Sequence, residues 1–338
     1  MAELGRWTRG MRTGLGEDPT HGAVVPPIYL STNYTFEGIG QPRGYDYSRS
    51  GNPTRDQLND AIATLEGGVG ATCVATGLAA ITLVAEAFVP AGGRVVVQHD
   101  AYGGTWRLFS FLAEQGRLVV DFVDFNDAEA LGTALTPDTD LVWIETPSNP
   151  LLRITDIRAV SDAAHAVGAL VAADNTFLSP LYQRPLEHGA DIVVHSTTKF
   201  INGHSDVVGG VAVAAEQEHH DRLRLWANAL GLTGSAFDAY LTLRGLRTLD
   251  ARMRVHTENT EALVALLDGH PAVAKLYCGR AAFEVCDTAL QVMGGIGYTK
   301  DCRISRLWRD QRVYRIGAGT DEIMIHIAGR AIQKQFQE

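Results

Sequence analysis

The sequence has no long apolar run. Nothing in its 338 residues approaches the roughly 18–20 consecutive apolar positions that a membrane helix needs. It also lacks an excess of positive charge: 29 Lys and Arg stand against 39 Asp and Glu, a formal net charge of −10. Nucleic-acid phosphates call for a basic face, so neither nucleic acid nor membrane is the expected partner. The opening MAELGRWTRGMRTG has no apolar stretch after its charges, which argues against a secretory signal. Cysteine is scarce. Cys73, Cys278, Cys286 and Cys302 show no CxxC spacing, so they fit a reducing cytoplasm better than a disulfide framework, and no metal site is expected. There is no long internal repeat and no low-complexity linker.

What is present is ordinary soluble globular composition, 46% apolar and 20% charged, in a chain long enough for two domains and a large core. Residues 1–60 are broken by Pro26, Pro27, Gly38, Gly40, Pro42, Gly51 and Pro53. Such a stretch reads as an arm lying over something else. From about residue 61 short β-rich runs alternate with helical ones. Strands are expected at 72–76, 94–98, 118–123, 140–145, 169–173, 192–195 and 207–214, several of them apolar throughout. This predicts an α/β domain over 61–250: a mainly parallel sheet with helices on both faces, and ligands beyond the carboxyl ends of its strands. A helical stretch is expected at 235–249, and 251–278 begins a small second domain. Residues 281–336 read as almost pure helix, interrupted at Gly294-Gly295-Ile296-Gly297.

Two motifs fall at predicted strand ends 25 positions apart, Asp174-Asn175-Thr176 and His195-Ser196-Thr197-Thr198-Lys199. A carboxylate beside a pyridine nitrogen keeps that nitrogen protonated, and a desolvated lysine of lowered pKa can form a Schiff base. Ser196 and Thr198 add hydroxyls suited to a phosphate. Read alone, Asp174 would be a helix cap and Lys199 a solvated surface charge; their order on this sheet pattern makes the pair informative. Thr76-Gly77-Leu78-Ala79-Ala80 links a strand to a helix whose amino terminus can face an anion, although an ordinary turn would look the same. In YDYSRSGNPT, Arg49 suits bidentate phosphate recognition and Tyr47 adds a hydroxyl, where a plain polar loop is the alternative. Tyr102, followed by Gly103-Gly104-Thr105, can stack on a flat ring or simply be a partly buried core residue.

Together YDYSRSGNPTRDQL, LEGG, ATGLAA, HDAYGGTWRLF, ETPSNPLLRITDI, ADNTFLSPLYQRPLEHGADIVVHSTTKFINGHSDVVGG and FDAYLTLRGLRTLDARM resemble the Cys/Met-metabolism enzymes that use pyridoxal 5′-phosphate (PLP), the trans-sulfuration family. The likeness is strongest to its bacterial cystathionine-forming members and runs from about residue 13 to 278. It implies the type I PLP-transferase fold, like that of aspartate aminotransferase. It implies Lys199 as the Schiff-base lysine and proton carrier, Asp174 as the partner of the ring nitrogen, and Tyr102 as the stacking and acid–base tyrosine. Gly77, Leu78, Ser196 and Thr198 match the phosphate cradle. Tyr47 and Arg49 match phosphate ligands donated by a neighbouring subunit, so the arm at 1–60 would reach across a dimer, and the family is typically a homotetramer. Asn149 matches a residue near the substrate carboxylate and the ring, and Asp46 is a candidate for substrate selection. The reaction implied is γ-replacement of an O-acylhomoserine by cysteine; γ-lyase, β-lyase and sulfhydrylase activities stay open.

The resemblance breaks near Tyr277-Cys278. The family's small domain would continue and supply an arginine for the substrate α-carboxylate. Instead AAFEVCDTALQVMGGIGYTKDCRISRLWRDQRVYRIGAGTDEIMIHIAGRAIQK resembles the C-terminal helical segment of acyl-CoA dehydrogenases. Gln291, Gly294, Gly295 and Thr320 would match flavin-contacting positions there, and Ala318 stands where many of those enzymes hold a catalytic glutamate. The rest of that fold is missing, so acyl-CoA oxidation is not expected. An all-helical tail over 279–338 thus replaces most of the usual small domain. Three outcomes stay open: a working enzyme with a helical cap, a PLP-binding remnant with impaired catalysis, and an unstable product. Arg315, in Tyr314-Arg315-Ile316, could stand in for the missing carboxylate arginine.

Overall fold

The computed structural model describes residues 4–268, 270–316 and 320–335. Ala318 lies outside the described residues. The chain divides into two units, 1–251 and 252–338.

The first unit opens with helix α1 (Arg6–Arg12) and a small hairpin, β1 (Phe36–Gly38) with β2 (Gln41–Pro42). The amino-terminal stretch is therefore not wholly irregular. α1 packs on α2 (Pro53–Glu66), so closely that a Cβ on Gly10 would sit 2.7 Å from Leu65. Local chemistry sets the ends of α2. The Asn52 side chain accepts from the amides of Thr54 and Arg55, Pro53 takes the first turn, and Gly67 closes the helix at φ 84°, a left-handed conformation that favours glycine.

An alternating series follows: β3 (Gly70–Val74), α3 (Gly77–Phe88), β4 (Arg94–Gln98), α4 (Gly103–Glu114), β5 (Val119–Val123), α5 (Ala128–Ala134), β6 (Thr139–Glu145), α6 (Ile157–Ala166), β7 (Leu170–Asp174), the short α7 (Ser179–Tyr182), β8 (Ile192–Ser196) and β9 (Gly210–Ala214). The seven long strands form one sheet in the order β3-β9-β8-β7-β6-β4-β5. It is mainly parallel, as expected; β9 alone runs antiparallel to both its neighbours. Val95, Val96, Val97, Leu141, Val142, Trp143 and Ile144 are fully shielded, the signature of strands covered on both faces. Separate apolar clusters fill the two sides: α3, α4 and α8 (Gln217–Leu230) bury Leu83, Phe109 and Leu223 on one, and α5 and α6 bury Leu131 and Val160 on the other.

Three expected boundaries shift. β3 ends at Val74 because Thr76 is spent capping α3, its hydroxyl accepting from the Ala79 amide. β9 starts at Gly210 because the preceding backbone turns to bond the Thr198 hydroxyl. The single helix expected at 235–249 stops at Leu246 as α9 (Ala236–Leu246), and α10 (Leu249–Leu267) starts anew.

The second unit takes in most of α10, then α11 (Pro271–Val292), the short α12 (Gly294–Gly297), α13 (Arg303–Tyr314) and α14 (Asp321–Gln335). α11 runs unbroken across position 278. Phe283 of α11 and Trp308 of α13 pack with ring centres 5.7 Å apart, and Trp308 donates to Asp287 at 2.7 Å. Among the unit's described residues only Met253, Ala272 and Met324 are buried apolar side chains. Gln291 lies in α11, Gly294 and Gly295 in α12, and Thr320 just before α14.

Candidate active site

Strand order decides which expected residues meet. β8, β7, β6 and β4 are consecutive and parallel, so their carboxyl ends lie in a row. Lys199 follows β8, Asp174 ends β7, Glu145 ends β6 with Asn149 just beyond, and Tyr102 follows β4. β3 runs in the same direction, which brings the start of α3 to the same edge.

The cradle is built from two segments far apart in sequence. A Cβ on Gly77 would stand 2.7 Å from Ser196 Cβ and 2.9 Å from Ser196 Oγ, so only glycine lets the start of α3 approach the end of β8. The Ser196 amide donates to Thr176 Oγ1 at 2.8 Å, and the Thr198 hydroxyl bonds the Gly209 main chain. Leu78 belongs to the same corner: a Cβ on Gly104 would meet the Tyr102 ring at 2.4 Å and Leu78 at 3.2 Å. The Tyr102 ring therefore lies against the amino-terminal turns of α3 and α4.

Asp174 accepts from the Thr176 amide at 3.0 Å and has no Lys or Arg partner among the described residues. Burial pushes its carboxyl up, against the pull of the Thr176 bonds. The neighbouring Glu145, paired with Asp174 in the β6–β7 register, is pushed up to about 8 by burial and then by the Asp174 charge; the Tyr102 and Asn149 amides pull the other way. A like charge close to a buried carboxyl raises that carboxyl's affinity for protons. Glu145 was not singled out by sequence reasoning, which saw only the last residue of an apolar strand.

Lys199 corrects one expectation. It sits in the turn after β8, its amide on Ser196 O at 3.3 Å and its carbonyl accepting from Gly203 at 2.8 Å. In the single chain it is exposed rather than desolvated, because the open edge of the sheet faces outward there. Tyr102 is likewise 47% exposed.

Tyr47 and Arg49 do not join this group in one chain. They line an open cleft of about 320 Å³ with Ser31, Arg55 and Ser235, and none of Lys199, Asp174, Tyr102 or Ser196 lines it. Arg49 Nε donates to Asn228 Oδ1 at 2.9 Å, and its Cζ lies 5.5 Å from the Tyr47 ring centre. Arg55 holds the loop in place by donating to the carbonyls of Ser48, Arg49 and Gly234. Asp46 is drawn into the local turn, accepting from Ser50 Oγ at 2.7 Å and the Tyr47 amide at 2.6 Å, bonds that hold its carboxyl below the usual range. Arg315 belongs to the second unit. Its guanidinium bonds Asp321 at 2.6 and 2.8 Å, and Arg280 reaches the same oxygen at 3.2 Å. Burial opposes ionisation of Asp321, but these bonds outweigh it and keep the carboxyl low.

A half-buried carboxylate with no Lys or Arg partner among the described residues, a glycine-gated hydroxyl cradle and an exposed lysine on one sheet edge make this an α/β enzyme of the kind that works through a bound anionic ring cofactor. The Cys/Met metabolism PLP-dependent enzyme model matches residues 7–298, and the chain belongs to that family. Its match extends twenty positions past the point where the motif likeness ends. The chain is 52% identical over 270 residues to cystathionine gamma-synthase of Escherichia coli K12, covering 80% of this chain and 70% of that one. It is 42% identical over 294 residues to cystathionine gamma-lyase of Dictyostelium discoideum, covering 86% and 76%. Among solved structures, cystathionine gamma synthase of Xanthomonas oryzae pv. oryzae in complex with cystathionine aligns with a TM-score of 0.78 and 58% identity over 80% of this chain and 70% of that one. No described helix is long and apolar enough to cross a membrane, and the described residues hold no cluster of metal-ligating side chains.

The residues fit pyridoxal phosphate. Asp174 has no Lys or Arg partner among the described residues, a place that a protonated ring nitrogen would take, and the space beside Ser196 is one that a Cβ on Gly77 would fill.

Proposed function

We propose that this chain catalyses γ-replacement: cysteine displaces the acyl group of an O-acylated homoserine and cystathionine forms. The observation that carries this reading is Asp174, half-buried at the end of β7 with no Lys or Arg partner among the described residues, one strand from the Ser196–Lys199 turn. Pyridoxal phosphate, when bound, supplies an electron sink for charge developing at the substrate Cα. Lys199 holds the cofactor covalently through its Nζ and carries protons at Cα and Cβ. Asp174 holds the proton on the ring nitrogen, and Tyr102 stacks on the ring and takes part in proton transfer. Ser196, Thr198 and the turn at Gly77 and Leu78 bind the phosphate. Tyr47 and Arg49 complete the phosphate site of a neighbouring subunit, which makes a dimer the smallest working form and a homotetramer its natural multiple. The separate cleft they line within one chain supports that reading. Asn149 and Asp46 face the amino-acid substrate, and the reaction belongs to the cytoplasm.

A second reading has one observation in its favour. The guanidinium of Arg315 is spent on Asp321, so the tail, which we read as derived from an acyl-CoA dehydrogenase helical segment, offers no free substitute there for the carboxylate arginine. A chain that binds the cofactor but turns over poorly would follow. Borohydride treatment and peptide mapping test the first half. The label should fall on Lys199 alone among Lys199, Lys275, Lys300 and Lys334, and a protein that takes up no cofactor sinks the assignment. Turnover of O-succinylhomoserine with cysteine, with sulfide, and without a thiol acceptor, beside cleavage of cystathionine, decides among synthase, sulfhydrylase and lyase. Cofactor without any turnover establishes the remnant.

A further inference from the structure

The roles above leave Glu145 unused. It ends β6, is 6% exposed, and stands beside Asp174 in the sheet register. Each carboxylate oxygen accepts from a different main-chain N–H: Oε2 from Tyr102 at 2.7 Å and Oε1 from Asn149 at 3.2 Å. Tyr102 enters α4 from the loop after β4, and Asn149 lies in the loop after β6. Among the described main-chain bonds none joins these two loops directly.

A second thread runs parallel to the first. The Glu145 amide donates to Gln98 Oε1 at 3.1 Å, and Gln98 Nε2 donates to Asp100 Oδ1 at 2.9 Å. Asp100 Oδ2 accepts from Ser148 Oγ at 2.6 Å, next to Asn149. Gln98 and Ser148 are fully buried. The loops that carry the stacking ring and Asn149 are thus laced together in a shielded place, with Glu145 at the knot. A carboxylate can serve two N–H donors because both oxygens accept; a carboxamide has one accepting oxygen and turns an NH₂ toward the second donor.

We propose that Glu145 is a positioning residue for the cofactor site: by binding the amides of Tyr102 and Asn149 at once, it sets the place of the stacking ring relative to Asn149, alongside Asp174. This rests on the reading of Tyr102 and Asn149 given above. A carboxyl placed merely to fill space would gain nothing from two aimed N–H groups. Here those bonds favour the ionised form against burial and against the Asp174 charge.

The test is a double-mutant cycle on pyridoxal phosphate binding by the full-length apo-protein at pH 9, above the point near 8 where Glu145 ionises, read by absorbance and by the near-UV circular dichroism of the bound cofactor. Glu145→Gln should weaken binding about tenfold, the size expected for losing a charge-assisted hydrogen bond, and should diminish the dichroic band. Glu145→Asp keeps two acceptors and should recover part of the loss. In the Tyr102→Ala background, which keeps the N–H but lacks the ring, Glu145→Gln should cost about threefold or less. Equal losses in both backgrounds overturn the proposal, because a general packing defect would be additive. Hydrogen exchange of the unsubstituted apo-protein is the second leg, needing no variant to fold. The Tyr102 and Asn149 amides should be strongly protected, and exchange of both at free-peptide rates overturns the proposal as well. Wild-type protein that binds no cofactor would instead sink the functional reading and leave the exchange measurement to judge Glu145.

Discussion

His195 Nε2 lies 2.5 Å from Glu66 Oε1, with both side chains wholly shut off from water. The same oxygen accepts from Asn175 Nδ2 at 2.9 Å, and Gln183 Nε2 bridges Asn175 Oδ1 and the Thr146 carbonyl. His195 precedes Ser196 and Asn175 follows Asp174, so helix α2 is tied to both strands that present the cofactor residues. Removing one partner strands the other in a dry interior. Glu66→Ala should destabilise the apo-protein by about 3–5 kcal/mol, because it strands His195 in a dry interior, read as a lower urea midpoint. The Glu66→Leu/His195→Leu double variant should lose less than the sum of its singles, because neither polar group is then left alone.

The Glu145–Asp174 pair makes stability depend on pH. Glu145 holds a proton in the folded apo-protein that an unfolded chain releases near its ordinary carboxylate range of roughly 4. Its contribution is complete below that range and is lost as pH rises toward about 8, where Glu145 ionises; in that window the folded state binds the more protons, so stability falls with pH. Between pH 5 and 8.5 the wild-type apo-protein should lose at least about 1 kcal/mol more than Glu145→Gln does. Paired urea titrations measure it, and parallel pH curves for the two proteins would refute the coupling.

Gly77 tests the cradle. A methyl group there must push against Ser196 at 2.7 Å, closer than unstrained side chains come. Gly77→Ala should push the start of α3 away from Ser196 and so bind pyridoxal phosphate at least about tenfold more weakly through lost phosphate contacts. Equilibrium dialysis with the apo-protein reads this directly, and unchanged affinity would place the phosphate elsewhere.

Arg315 separates a structural arginine from a substrate one. Its side chain and that of Arg280 converge on Asp321, tying α11 and the residue after α13 to the start of α14. Arg315→Ala should therefore make residues 252–338 more susceptible to limited proteolysis, in a unit with few buried apolar side chains. KM for O-succinylhomoserine should stay within about twofold of wild type, because no uniform binding interaction is removed. A rise of tenfold or more would make Arg315 the substrate's carboxylate partner after all.

Much of the α/β unit was written locally. Asn52, Thr76 and Gly67 punctuate helices through bonds that span a few residues, and the apolar runs at 94–98 and 140–145 declare strands covered on both sides. Asp174 and Lys199 were legible because each follows such a run, and Gly77 because a glycine between a strand and a helix marks a close approach. Sequence alone therefore settled the class of fold, and its motifs named the residues expected at the cofactor edge. It could not place Glu145, 43 positions from the Tyr102 amide it binds, nor join Glu66 to His195 across 129 positions. It could not foresee that Lys199 stands exposed in the single chain, or that Arg315 is held by Asp321. Those facts depend on which strands lie side by side and which loops fold over them. Strand order is fixed by crossover helices packing on the completed sheet, and a pairing of that kind leaves no periodic trace along the chain.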